Sequence, residues 1–156
     1  MATTYPIEAP VHRGLTEFRS TTIPKAASQS WAAGDIIITA SGLATDFAAG
    51  ASAVGLGLAG QAAVEAEAPS GSPNYANVDV YLLDEVLTEI NLVGTHAAAD
   101  IGAEFGLDID SGATGFVYVK KSDTTNKRVR VLARLSGAVG DSNVRVLVRW
   151  LPADIL

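Results

Sequence analysis

Two stretches near the C-terminus, Arg128-Val-Arg-Val-Leu-Ala-Arg134 and Val144-Arg-Val-Leu-Val-Arg-Trp150, decide the fold class. In the first, charged and apolar residues at first alternate with a period of two, which gives a strand one dry and one wet face, and the second is of the same type. The glycine-rich loop at 136–143 between them is typical of a connection between strands. The pattern predicts two strands of the same type.

Further strand patterns precede this pair. Runs of β-branched or small apolar residues predict strands at Asp35–Ala40, Ala53–Ala59, Ala62–Ala68, Val78–Leu83, Leu87–Leu92 and Gly115–Lys121. We expect the last of these to form a hairpin with Lys127–Leu135 through the turn Ser122–Asn126.

The sequence also predicts one short helix. Thr95 has the side chain of an N-cap, His96 to Phe105 follow with helical spacing, and Gly106 closes the element. Seven or eight short strands, glycine-rich turns and this helix indicate a mainly β protein with a small β-barrel or β-sandwich-like body.

The first 30 residues differ from the rest of the chain. Pro6, Pro10 and Pro24 fix φ and remove backbone donors, so we expect an extended N-terminal arm at 1–30 beside a barrel domain at 31–156. The arm carries apolar residues suited to a neighbouring surface, and a wrap over the chain's own barrel is the alternative. The candidate contact residues are Tyr5, Ile7, Val11, Leu15 and Phe18.

Composition removes several classes of chemistry. The chain has 156 residues and no cysteine, which excludes disulfides, thiolate metal sites and cysteine nucleophiles. Its net charge of -6 argues against a general nucleic-acid binder. The opening residues lack the basic and apolar regions of a secretory signal, so we expect synthesis in the cytoplasm and no membrane partner. No cofactor is predicted.

Charge is distributed unevenly along the chain. Residues 79–119 carry eight acidic and no basic side chains, whereas residues 120–156 carry eight basic and three acidic ones. These regions either balance each other within one fold or attract each other between copies. The candidate inter-subunit charge contacts on the two basic strands are Arg128, Arg130, Arg145 and Arg149.

One motif resembles a nucleotide-binding loop. Gly55-Leu-Gly57-Leu-Ala-Gly60 has the spacing of the dinucleotide pattern. That pattern requires a strand running into the first glycine and a long helix after the last one. Neither is present, because alanine and glycine precede Gly55 and Pro69 stops the segment that follows. A glycine-rich strand packed closely on its neighbours is the favoured interpretation.

The remaining polar motifs do not specify a reaction. Asp108-Ile-Asp110-Ser-Gly112 begins like a calcium loop, but Ala113 and Val119 stand where that loop needs glycine and glutamate. An acidic turn is therefore favoured. Paired carboxylates elsewhere have no nucleophile or oxyanion donor at a recognisable spacing. The sequence predicts no catalytic or metal-binding residue, and we do not expect an enzyme.

Several segments together resemble a known family of proteins. They are Trp31–Ile36, Ala53–Ala59, Val78–Leu83, Asp100–Leu107, Ser122–Asn126 and Gly140–Val148. The pattern of turns and strands in these segments, over roughly residues 31–156, is similar to that of the small head-decoration, or capsid cement, proteins of tailed bacteriophages.

This resemblance implies a structural role on the virion. Such proteins bind the outside of the expanded capsid, often as trimers, and bridge neighbouring major capsid subunits against the pressure of packaged DNA. The implied partners are the major capsid protein and further copies of the chain, and the implied use of the arm is to extend a neighbouring sheet. A tail or baseplate barrel, and a cellular ligand-binding β-barrel, remain the alternatives.

Overall fold

The protein is mainly β, with eleven strands in the part of the chain that the structure describes. A computed structural model describes residues 1–14, 20–26, 29–40, 42–47, 56–59, 77–84 and 86–152. The strands are β1 (Val11–Gly14), β2 (Ser20–Pro24), β3 (Ile36–Ala40), β4 (Leu43–Asp46), β5 (Leu56–Ala59), β6 (Asn77–Leu82), β7 (Val86–Val93), β8 (Glu104–Ile109), β9 (Val117–Lys120), β10 (Val129–Arg134) and β11 (Arg145–Trp150).

The C-terminal strands form a closed five-stranded barrel in the order β7-β11-β10-β8-β9. The barrel closes where Leu92 and Val93 of β7 pair in parallel with Val119 and Lys120 of β9. The first half of β7 does not pair with β9. There the same edge of β7 pairs with β1 instead, from Val86 to Glu89. Closure therefore does not depend on β1.

The other strands form a second, five-stranded antiparallel sheet in the order β2-β6-β5-β3-β4. Its outer strands approach each other at a bridge between Lys25 and Ala44, where the Ala26 amide donates to the Ala44 carbonyl at 2.9 Å. Gly57 of the glycine motif lies within β5, paired with Ile37 and Leu82. The strand interpretation of that stretch is confirmed for residues 56–59.

Strand β3 connects two hydrophobic clusters. Ile36 and Ile38 join the larger cluster, which fills the barrel, while Ile37 between them joins the smaller one. This follows from the alternation of side chains along a strand, because both faces of β3 are covered. The barrel cluster also contains the inward valines of β10 and β11 together with Trp150, which is only 2% exposed.

The predicted helix at 96–105 is wrong. The structure has only a 3₁₀ turn at Ala98–Asp100, and the chain enters β8 at Glu104. The left-handed conformation of Gly102, at φ 87°, separates the two. Gly106 does not close a helix; it lies in β8, where a Cβ would collide with the Asp123 carboxylate. In the sequence, Gly106 resembled a glycine that ends a helix, whereas the structure requires glycine there for close packing.

The predicted hairpin of Gly115–Lys121 with Lys127–Leu135 is also wrong. The turn at Ser122–Asn126 exists, and the Asp123 carboxylate accepts the amides of Thr125 and Asn126. However, β9 pairs with β8 and β7, and β10 pairs with β8 and β11. The turn at Ser122–Asn126 carries the chain from β9 past β8 to β10, so β8 lies between β9 and β10. The pairing of β10 with β11 agrees with the sequence pattern.

The N-terminal segment is extended, as expected, but it lies on the chain's own barrel and sheet. Residues 11–14 form β1 against β7, and residues 20–24 form β2 against β6. These pairings agree with the alternative of a wrap over the chain's own body, and contact of the arm with a neighbour stays a prediction. The cause is that two open sheet edges of the same chain accept this backbone.

Lys25 is fully buried beside the bridge to β4, and its Nζ has no hydrogen-bond partner among the described residues. Burial of an unpaired polar group costs about 1–3 kcal/mol. We therefore expect Lys25→Met, which keeps the apolar stem, to raise the free energy of unfolding by about that amount in a urea titration. The exposed Lys127→Met is the control, and loss of stability in Lys25→Met would contradict this account.

Candidate functional site

The best-defined polar site of the described chain is a groove on the barrel that holds residues 3–9 by their backbone. At its first end, the Thr3 amide donates to Asp141 Oδ1 at 2.8 Å, and the Ser142 amide donates to the Thr3 carbonyl at 2.8 Å. The Tyr5 amide then donates to the Ser142 carbonyl at 3.0 Å. These contacts select an extended conformation and not particular side chains.

Asn91 is the centre of the groove. This β7 residue is 2% exposed, and its amide makes four hydrogen bonds. Nδ2 donates to the carbonyls of Pro6 at 3.0 Å and Asn143 at 2.7 Å. Oδ1 accepts from the Glu8 amide at 2.9 Å and from Arg145 Nη1 at 3.0 Å. One buried side chain thus joins the N-terminal segment to β7 and to the strand that follows Asn143.

Arg145 continues the groove towards β1. Its Nη1 donates to the Glu8 carbonyl at 3.2 Å and its Nη2 donates to the Ala9 carbonyl at 2.6 Å. Burial lowers the pKa of this guanidinium from its ordinary value, although an arginine stays charged throughout the physiological range. The planar fork of an arginine suits two adjacent backbone acceptors.

Asp141 anchors the first residues of the segment as an anion. Hydrogen bonds from the Thr3 amide, and then from the Ala138 amide, lower the pKa of this carboxyl below its usual range. The loop that carries Asp141 is held by His96, whose amide donates to the Asp141 carbonyl at 2.7 Å. The carboxylate is therefore ionised, and the barrel itself positions the loop that carries it.

A hydrogen-bonded relay connects β1 to the barrel core. Trp150 Nε1, which can only donate, lies 3.0 Å from the Thr88 hydroxyl, and that hydroxyl lies 2.9 Å from His12 Nδ1. His12 Nε2 lies 3.1 Å from the Gly34 carbonyl, which can only accept. The network therefore assigns the proton of a neutral imidazole to Nε2 and leaves Nδ1 to accept from Thr88.

Burial keeps His12 neutral. It lowers the pKa of the imidazole from 6.5 to about 4, against weaker opposite effects of the Gly34 carbonyl and of Asp35. A proton on Nδ1 would also leave the Thr88 hydroxyl with two donors aimed at it and no acceptor for its own proton among these partners. His12 is thus a structural histidine whose charge state is coupled to the docking of β1.

The structure separates the predicted arm contacts. Tyr5 packs against the barrel cluster, with its ring over Gly137, and Ile7 is half-buried. Val11 is 43% exposed and is the outward apolar residue of β1. Leu15 and Phe18 lie outside the described residues. Contact of these side chains with a neighbour stays a prediction. Among the described ones, Val11 is exposed enough to make such a contact.

The four predicted arginines do not act as one patch. Arg128 is buried at 5% exposure and Arg145 belongs to the groove. Arg130 and Arg149 lie opposite each other on the outer faces of β10 and β11. Arg130 is paired with Glu104 on β8, whereas Arg149 is exposed and has no ion pair within the described part of the chain. Arg149 therefore presents the least compensated positive charge of the four.

A cavity of about 260 Å³ lies between the N-terminal segment, β4 and the loop from β8 to β9. Phe47 and Phe116 form part of its wall, and Asp35 and Asp46 supply carboxylates. Burial and the nearby Asp35 charge raise the pKa of Asp46, against a hydrogen bond from the Phe47 amide. Neither carboxylate forms an ion pair with another described residue. Of the Asp108–Gly112 stretch, Asp108 and Ile109 end β8, and the turn follows them, with Asp110 accepting from Thr114.

Sequence reasoning missed most of the groove. Asn91 was the one position that carried a signal, because a polar residue interrupts the apolar run Ile90-Asn-Leu92 of a buried strand. Asn143, whose φ of 58° places it in the left-handed region, resembled an ordinary loop residue. Thr88 and Asp141 gave no signal because their partners in the N-terminal segment, His12 and Thr3, are more than 70 residues away in sequence.

Comparisons with protein-family models, with curated proteins and with solved structures found no match. Across the described ranges, no group of three or more His, Cys, Asp or Glu side chains is placed to hold a metal ion. No helix in that same part of the chain is long and apolar enough to cross a membrane.

Proposed function

We propose that this chain is a structural protein of a tailed-phage head, which binds the outside of the expanded capsid and bridges neighbouring major capsid subunits. Contacts that are modest singly become strong when one oligomer engages several subunits, because later contacts form at high effective concentration. Binding to the expanded lattice alone stabilises that lattice by linkage. A tail or baseplate position on the same virion is the nearest alternative.

The observation that carries this proposal is the backbone-directed groove. Asn91, Asp141 and Arg145 bind carbonyl and amide groups of an extended segment. The same segment continues as β1, which pairs with the edge of β7 as in assembly by strand addition. The closed barrel supplies a rigid platform beside this groove. Together with the resemblance of residues 31–156 to capsid cement proteins, these features support an assembly role.

Charge supports a contact through the outer face of the barrel. Arg149 stands opposite Arg130 without a counter-ion of its own in the described structure, so an acidic neighbour gains more there than at a compensated site. Val11 adds an exposed apolar side chain on the same sheet, one strand beyond β7. We propose these two residues as the contacts with a neighbouring subunit.

Co-sedimentation with heads assembled from the major capsid protein of the same virus tests the proposal. We expect saturable binding to expanded heads, in hundreds of copies, and none to unexpanded ones. Arg149→Glu is expected to weaken binding several-fold at low salt and less at high salt. Arg134→Glu, an exposed arginine of β10, is the matched control. Absence from heads, or a few copies per virion, would contradict the capsid proposal.

One observation favours a ligand-binding barrel as a second candidate function. The cavity between β4 and the β8–β9 loop combines aromatic walls at Phe47 and Phe116 with two carboxylates. A pocket of this composition is suited to a small cationic ligand. Head binding by a Phe116→Ala variant at the wild-type level would separate the two functions, because the cavity then has no part in assembly.

A further inference from the structure

The groove recognises an extended segment without reading which chain supplies it. Its hydrogen bonds to backbone amides and carbonyls of residues 3–9 come from the side chains of Asn91, Asp141, Asn143 and Arg145 and from the Ser142 backbone. Every one of these contacts would form equally well with residues 3–9 of a second copy. The question is whether the segment can leave its own barrel without unfolding it.

The segment is attached to its barrel weakly compared with the core. None of residues 1–14 is buried, and Tyr5 packs against the barrel cluster while it stays partly exposed. Segments with few buried apolar contacts open at a free energy well below that of global unfolding. The barrel also stays closed when β1 leaves, because β9 pairs with the second half of β7.

A short stretch of chain joins the segment to the second sheet. Five residues, 15–19, connect Gly14 of β1 to Ser20 of β2, which belongs to the other sheet. Five residues span up to about 17 Å when extended. Once β1 leaves, it exposes an unpaired edge of β7 from Val86 to Glu89. Such an edge is completed most readily by an identical strand.

We infer that residues 1–14 exchange between copies, so that the groove of one chain binds the N-terminal segment of its neighbour. Exchange conserves every hydrogen bond of the closed form and costs only the lost effective concentration of the tethered segment. It is therefore favoured where copies are crowded. The inference goes beyond the proposed capsid function and is tested without capsids, so that either can fail alone.

Mixed disulfides between two single-cysteine chains provide the test, because the protein has no cysteine of its own. Val11 and Glu89 are direct partners on β1 and β7. Val11→Cys chains, carrying a ¹⁵N mass label, are mixed with unlabelled Glu89→Cys chains in a glutathione buffer at about 10 μM and about 1 mM. Mass spectrometry measures the disulfide that joins a labelled chain to an unlabelled one through these two positions.

The control pair is Arg130→Cys mixed with Glu104→Cys, which are direct partners on β10 and β8 of the closed barrel. These strands cannot exchange locally, so their mixed product measures random collision. We expect the Val11→Cys and Glu89→Cys product to exceed this background at least tenfold at the higher concentration. A single chain that carries both Val11→Cys and Glu89→Cys should form the disulfide within itself at the lower concentration.

A product no more abundant than the control at either concentration would overturn the inference. Arg13→Cys with Leu87→Cys, the next pair of the same ladder that faces the same side, is run in parallel. It removes the possibility that one pair has poor disulfide geometry. If both pairs stay at background while the doubly substituted chains cross-link internally, the segment belongs permanently to its own barrel.

Discussion

Replacing Asn91 with leucine is expected to release the N-terminal segment and to lower the free energy of unfolding by about 2–4 kcal/mol. Leucine keeps the volume of the buried side chain but removes four hydrogen bonds. The Asn143 carbonyl and the Arg145 guanidinium would each lose a hydrogen-bond partner. The loss comes mainly from these unsatisfied groups.

Hydrogen exchange distinguishes release of the segment from general loss of stability. The Glu8 and Tyr5 amides, bonded to Asn91 and Ser142, should lose protection in Asn91→Leu. The Val131 amide, bonded to the Ala103 carbonyl within the barrel, should keep far more. Asn77→Leu, an exposed asparagine of β6, is the matched control and should change stability by less than about 0.5 kcal/mol. Unchanged protection at Glu8 would contradict the central role of Asn91.

The strands that the sequence predicted best are those whose inward face is repeatedly apolar. Val129 and Val131, and Val146 and Val148, point into the barrel, and their alternation with arginine is visible locally. Pairing order was not visible, because it depends on which strand lies between two others. Where β8 lies between β9 and β10, Gly106 approaches Asp123 closely, a contact that no local pattern encodes.

The N-terminal segment shows the limit of reading side chains. Its prolines and scattered apolar residues correctly indicated an extended backbone, but not which surface accepts it. The decisive contacts use the backbone of the segment, and their partners are distant in sequence, as with Thr3 and Asp141. Among the arginines predicted as inter-subunit charge contacts, Arg145 binds the backbone of this segment of its own chain.

Acidification from pH 6.5 to about 4 is expected to lower the free energy of unfolding through His12. Burial lowers the pKa of this imidazole from 6.5 to about 4, so between these values the unfolded chain binds a proton that the folded chain does not. The contribution of His12 is therefore complete above pH 6.5 and is lost as the pH falls. The slope is at most about 1.4 kcal/mol per pH unit in this window.

Urea titrations at intervals between pH 7 and pH 4 measure this slope in the wild type and in His12→Asn. Asparagine keeps an acceptor for the Thr88 hydroxyl but does not titrate, so the variant should be less stable at pH 7 and should lose less on acidification. The raised pKa of Asp46 acts in the opposite direction above the ordinary value of 3.8, but it is present in both proteins. The difference between the two curves thus isolates His12, and parallel curves would show that its protonation is not coupled to docking of β1.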